Sequence, residues 1–161
     1  MITLVLGGAR SGKSAVAERL AASSGGTVSY VATLLDLDDD DLRRRIDEHR
    51  RRRPVTWRTI EGASDLAATV GELSETILID SLGPWLASHG DVDATALCDA
   101  LQRHNGDVIV VSDEVGLGVH PSSSAGREFR DALGRLNQAI ATCADEVIFV
   151  VAGLTITLKG R

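Results

Sequence analysis

Aromatic side chains are scarce in this sequence, with Phe, Trp and Tyr making up 3% of 161 residues. The core must then be aliphatic, as in a parallel sheet buried on both faces, and a chain of this length can enclose one. Cysteine is equally rare. Cys98 and Cys143 form neither a disulfide framework nor a metal-ligand spacing, which excludes a disulfide-held scaffold and suits a reducing compartment. Excess positive charge is missing too: the formal net charge is −6, which excludes general nucleic-acid binding. No apolar run approaches the length of a membrane span, and no basic n-region precedes the strand pattern that begins at Ile2. Nor is there an internal repeat, or a linker rich enough in Gly, Ser or Pro to divide the chain. These absences predict a soluble, cytoplasmic protein whose residues 1–161 form one domain.

What is present is alternation. Short apolar runs at 2–7, 27–32, 76–80, 107–112, 146–151 and 154–158 read as strands. Helical patterns fall between them, at roughly 13–22, 39–52, 63–73, 94–103 and 125–144. Alternation of this kind predicts βαβ units on a mainly parallel sheet with helices on both faces. Only Ala152 and Gly153 separate the last two strands, so these should form an antiparallel hairpin at one edge. The runs Asp36–Asp41 and Ser122–Ser124 read as helix entries, since both residue types cap helix N-termini.

The segment "GGARSGKS" fits G-x-x-x-x-G-K-[ST], directly after a strand and opening a helix. Gly7, Gly8, Ala9, Arg10, Ser11, Gly12, Lys13 and Ser14 would cradle a nucleoside triphosphate on inward-turned backbone amides. Lys13 would reach the β- and γ-phosphates and Ser14 would ligate Mg²⁺. "TILID" is an apolar strand ending in an acid, which places Asp80 near that metal. The predicted class is thus an α/β P-loop NTPase of the RecA-like kind. Gly7, Asp80 and "SDEVG" (Ser112–Gly116) all fall at strand carboxyl ends, where open α/β sheets bind ligands.

One histidine stands apart. Around "RRRIDEHRRRRPVTWR" (43–58), with Asp39–Arg53 taken as a helix, Leu42, Ile46, His49 and Arg53 share a face, and Pro54 places His49 in the last turn. His49 could be a nucleophile whose neighbouring arginines neutralise phosphate charge. It could equally be a solvated residue on a helix laced with i,i+4 ion pairs. The segment alone leaves both open.

A resemblance decides between them. "GGARSGKS", "YVAT", "RIDEHRRRRPVTWRTIE", "ILID", "EVGLGVHP", "GREFRDALGRLNQAIA" and "ADEVIFVVAGLTITLKG", in this order, resemble the bifunctional adenosylcobinamide kinase/adenosylcobinamide-phosphate guanylyltransferase family over nearly the whole chain. The resemblance implies two reactions. ATP or GTP gives its γ-phosphoryl group to the aminopropanol hydroxyl of adenosylcobinamide; GTP then guanylylates a histidine, here His49, and the GMP passes to adenosylcobinamide-phosphate. It also implies that Ala32, Thr33 and Leu34 border the nucleotide and that Arg50, Arg51, Arg52 and Arg53 contact it after the nucleophile. Glu61 and Asp80 become further nucleotide contacts, so Asp80 carries two readings, as metal ligand and as nucleotide contact. A corrinoid acceptor and a homo-oligomer, trimeric in the family, are the implied partners. Guanylyl transfer alone, or a simple P-loop small-molecule kinase without a covalent intermediate, are the alternatives.

The remaining candidates have plainer readings. His120 is the alternative nucleophile but reads as a loop histidine, and His89 and His104 read as solvated. Arg127 and Arg130 read as a solvated first helical turn rather than arginine fingers. Glu114 could orient an acceptor hydroxyl or cap backbone amides, and Trp57 and Trp85 read as buried or interfacial.

Overall fold

The computed structural model describes residues 1–33, 54–90 and 92–160. The predicted helix at 39–52, with its aspartate entry, lies outside them. So do Leu34, His49 and Arg50–Arg53.

In chain order the described elements are β1 (Ile2–Gly7), α1 (Lys13–Ser23), β2 (Val28–Ala32), β3 (Arg58–Glu61), α2 (Leu66–Glu72), β4 (Thr76–Asp80), α3 (Leu82–His89), α4 (Ala94–Arg103), β5 (Val108–Asp113), α5 (Ser124–Cys143), β6 (Glu146–Val151) and β7 (Leu154–Lys159). They build a seven-stranded sheet in the order β3-β2-β4-β5-β1-β6-β7. Every pairing is parallel except β6 with β7. The mainly parallel sheet, the helices on both faces and the antiparallel edge hairpin are as the sequence predicts.

Strand period assigns the side chains to two cores. Ile2, Leu4, Leu6, Ile77, Ile79, Val108 and Val110 face α2–α5, whose Leu66, Trp85, Leu97, Leu133 and Ile140 complete one cluster. Val5, Leu78, Ile109, Val111 and the buried Tyr30 face α1, which contributes Val16, Ala17 and Ala21 to the other. Helices on both sides leave no polar face on the central strands, which is why they read as continuous apolar runs.

Two elements depart from the sequence expectation. β3 is a four-residue edge strand with only Ile60 partly buried, so it carries no alternating apolar signal. α3 has the sequence LGPWLASH, in which Gly-Pro reads as a turn. Pro84 is nevertheless the third residue of the helix, in a first turn where missing N–H groups cost nothing. Elsewhere the helix entry in Ser122–Ser124 holds, with Ser123 Oγ accepting from Gly126 N at 3.1 Å. The β6–β7 turn has φ of 52° at Ala152 and 78° at Gly153, the two positive angles of a type I′ hairpin turn.

Candidate functional site

The parallel strands bring Gly7, Ala32, Asp80 and Asp113 to one edge of the sheet. Asp80 is in register with Ala32 on β2, and Asp113 with Gly7 on β1. β5 lies between β1 and β4, so the phosphate loop and the acid of "TILID" face each other across one strand.

Gly7 can only be glycine, because a Cβ there would lie 2.8 Å from Val150 O. The loop beyond it turns through positive φ at Arg10 (55°) and Gly12 (94°), and Ser11 N donates to Gly8 O at 3.3 Å. Its outer side rests on the hairpin turn, where Gly153 N donates to Ser11 O at 2.8 Å. Lys13, the first residue of α1, donates from Nζ to Gly8 O at 3.2 Å. The same Nζ is ion-paired with Asp113 Oδ1 at 2.7 Å.

Ser14 and Asp80, the residues expected near a metal, meet beside the loop. Ser14 Oγ donates to Asp80 Oδ1 at 3.3 Å, and Tyr30 OH donates to Asp80 Oδ2 at 2.6 Å. A hydroxyl and a carboxylate oxygen this close are hard oxygen donors of the kind Mg²⁺ takes from protein, one or two at a time. The donor set fits the ion.

Other sequence-predicted residues fall around this centre. Thr33 is buried, its Oγ1 accepting from Ser81 N at 2.9 Å and donating to Ser81 O at 2.5 Å, so it ties the end of β2 to the entry of α3. Ala32 O accepts from Gly62 N at 3.2 Å. Glu61 is exposed at the end of β3, four strand steps from β1, or roughly 19 Å at the usual strand spacing. That distance puts it out of reach of the loop's phosphates.

Three residues to which the sequence assigned no role shape the site. Tyr30 orients Asp80. Asn137, buried on α5, accepts from Ser112 Oγ at 2.6 Å and donates from Nδ2 to Asp113 O at 3.0 Å, pinning the end of β5. Gly83, the second residue of α3, lies so close to Asp113 that a Cβ there would meet Oδ2 at 2.6 Å. Tyr30 and Asn137 lie in segments that carry the family resemblance, but their contacts, like that of Gly83, are set by strand order and register.

The remaining candidates take structural roles. Glu114 Oε1 accepts from the amides of Gly116 and Leu117 at 2.5 and 3.2 Å, capping its own loop. Arg127 donates to the carbonyls of Pro121 and Ser122, and Arg130 pairs with Asp131. His120 is exposed, as is His89, whose ring lies tilted against Trp85 with centroids 5.6 Å apart. His104 is not solvated as expected. It is half-buried, with Nε2 at 2.9 Å from Glu75 O. Trp85 is buried and donates to Ser64 O, and Trp57 packs under the α1 face.

Known proteins share this fold and this sequence. Among solved structures, the flagellar accessory protein FlaH of Methanocaldococcus jannaschii superposes with a TM-score of 0.60 at 17% identity, over 99% of this chain and 78% of that one. A RadB recombinase gives 0.53 at 16%, over 99% and 81%. At such identities the likeness concerns fold alone, that of P-loop NTPases. Curated relatives align end to end. The bifunctional adenosylcobalamin biosynthesis protein CobP of Pseudomonas aeruginosa is 46% identical over 100% of this chain and 99% of its own length. The corresponding CobU of Escherichia coli is 36% identical over 99% and 100%. The family described as cobinamide kinase / cobinamide phosphate guanyltransferase matches residues 3–158. A phosphate cradle facing a strand-end acid, on a chain matched over almost its whole length, makes this protein a member of that bifunctional family of adenosylcobalamin biosynthesis.

Proposed function

We propose that this chain performs both reactions of its family at the edge where β1, β4 and β5 end. The carrying observation is the convergence of Lys13, Ser14 and Asp80 at that edge. In the kinase reaction the loop from Gly7 to Ser14 holds the triphosphate of ATP or GTP, and Lys13 takes charge from its β- and γ-phosphates. The aminopropanol oxygen of adenosylcobinamide attacks the γ-phosphorus, its bond to the bridging oxygen breaks, and a nucleoside diphosphate leaves. In the second reaction a ring nitrogen of His49 attacks the α-phosphorus of GTP and pyrophosphate departs. The phosphate of adenosylcobinamide-phosphate then attacks the histidine-bound GMP, the P–N bond breaks, and adenosylcobinamide-GDP forms with His49 restored.

Ser14 and Asp80 would hold Mg²⁺, which supplies charge neutralisation between phosphate oxygens. Tyr30 keeps Asp80 turned toward Ser14. Glu61, Ala32, Thr33 and Leu34 border the ribose and base, and Arg50, Arg51, Arg52 and Arg53 stabilise the α- and β-phosphates beside His49. The protein works in the cytoplasm as a single P-loop transferase domain and assembles as a homo-oligomer, a trimer by family resemblance. Among the described residues no helix is long and apolar enough to cross a membrane.

GTP labelled on the α-phosphate, given with Mg²⁺ and no acceptor, tests the covalent step. The denatured protein should carry label that survives base and is lost in acid, as a phosphoramidate is, and His49→Ala should carry none. A wild-type protein that consumes GTP but stays unlabelled would leave a plain P-loop kinase as the better account.

A further inference from the structure

The lysine that the phosphates need is already engaged. Lys13 Nζ sits 2.7 Å from Asp113 Oδ1, and the two side chains are only 13% and 29% exposed. A partly desolvated ammonium without an anion is costly, so Asp113 stabilises the site as it stands. Its place is fixed from three sides. Asn137 holds its carbonyl, Glu114 N bonds Gly7 O at 3.0 Å beside it, and Gly83 leaves just enough room for its second oxygen.

We propose that Asp113 is a resident counter-ion of the phosphate cradle: it holds Lys13 until phosphates displace it, and reclaims Lys13 when pyrophosphate leaves. The inference rests on the nucleotide reading of the cradle. A ligand shifts such an equilibrium only by its differential interaction with the two states. Here the difference is large, because the β- and γ-phosphates must both draw Lys13 away and accept a carboxylate of like charge nearby. Asp113 therefore weakens binding of anything that places a phosphate on Lys13. It has no such effect on a ligand that stops at the α-phosphate. Guanylylation of His49, the first half of that transfer, leaves pyrophosphate on that lysine, so a competing carboxylate speeds its departure before GMP is passed on. Asp113 is in this sense a positioning residue, acting through Lys13.

Calorimetric titration of the full chain with Mg²⁺ and GMPPNP, pyrophosphate or GMP tests this without any corrinoid. Asp113→Asn should bind GMPPNP and pyrophosphate at least about tenfold more tightly, with GMP unchanged within about twofold. The gain should vanish when Lys13→Ala is added. The variant should also melt at a lower temperature than wild type when empty and at an equal or higher one when saturated with GMPPNP, a reversal that a purely structural ion pair would not give. Asp113→Ser, too short to reach Lys13, serves if the asparagine variant does not fold. Equal or weaker GMPPNP binding by the variants, or a gain that persists without Lys13, overturns the proposal while the cradle stands. Absence of GMPPNP binding in every form would overturn the nucleotide reading, and this proposal with it.

Discussion

Asp80 shows how one side chain can be legible in identity and not in geometry. A strand-end acid after an apolar run marks it, but only the structure gives its two oxygens different partners, Ser14 on one and Tyr30 on the other. Tyr30 is 2% exposed; in the proposed Mg²⁺ site it would support the ligand Asp80, and removing such a support costs about 10–100-fold in metal affinity. Tyr30→Phe should therefore raise the Mg²⁺ concentration for half-maximal activity by roughly tenfold or more while leaving the fold intact. A Mg²⁺ titration of turnover checks this, and an unchanged midpoint would remove Tyr30 from the metal side. Gly7→Ala should abolish nucleotide binding, since its Cβ would press on Val150 O at 2.8 Å and push the loop off β6. Titration with GMPPNP reads that directly. The phosphate loop was legible because its chemistry is local in sequence. The Lys13–Asp113 pair spans 100 residues between β1's loop and β5's end and exists only through strand order.

Among the elements, the ones read closest to their true bounds were β1, β4, β6 and α4. The strands are apolar runs buried on one or both faces, and α4 is capped by Asp93, whose side chain accepts from Thr95 N at 2.8 Å. β3 and α3 were missed because an exposed four-residue edge and a helix opening on Gly-Pro carry no periodic signal. The hairpin turn was legible from its length, yet its first residue is not the usual choice. Ala152 sits at φ 52°, a left-handed conformation that Asn tolerates better than Ala. Ala152→Asn should stabilise the protein by about 0.5–1 kcal/mol, roughly 1–4 °C in melting temperature. A second element-level prediction concerns acid. The Ser29 hydroxyl of β2 hydrogen-bonds the Glu75 carboxylate just before β4 and is the main reason that carboxyl titrates below its ordinary value of 4.5. A folded-state pKa below the unfolded one stabilises above the unfolded value, and that contribution is lost as pH falls through the folded one. Ser29→Ala should thus melt lower than wild type at pH 7, by about 2–4 °C for a loss near 1 kcal/mol. The gap should narrow as pH drops below 4.5; a gap that stays constant to pH 2 would mean the serine acts through packing alone.

At the scale of the whole molecule, the sheet has one side it does not finish. β7 closes the order of strands and is exposed along its length, with Leu154, Ile156 and Leu158 at 74%, 55% and 59%. Proteins usually blunt such an edge with charge, proline or a covering helix. Here Lys159 is the only charged residue of the strand, and its ammonium is spent on the carbonyls of Ala141 and Thr142. An apolar edge of this kind in an acidic chain suits burial against further copies, which is the arrangement the proposed homo-oligomer requires. Sedimentation at micromolar concentration should then give about three times the 17.0 kDa chain mass. Leu154→Glu combined with Ile156→Glu should lower that mass. The paired change adds charge at positions already open to solvent, so each subunit should still fold and melt within a few degrees of wild type. Nucleotide binding separates the outcomes further, because the turn that begins β7 is hydrogen-bonded to the phosphate loop through Gly153 and Ser11. If the variant dissociates and still binds GMPPNP as wild type does, the cradle is complete within one chain. Should binding fall with the mass, the hairpin transmits assembly to the site. A wild type that sediments as a monomer would leave the edge without an oligomeric role.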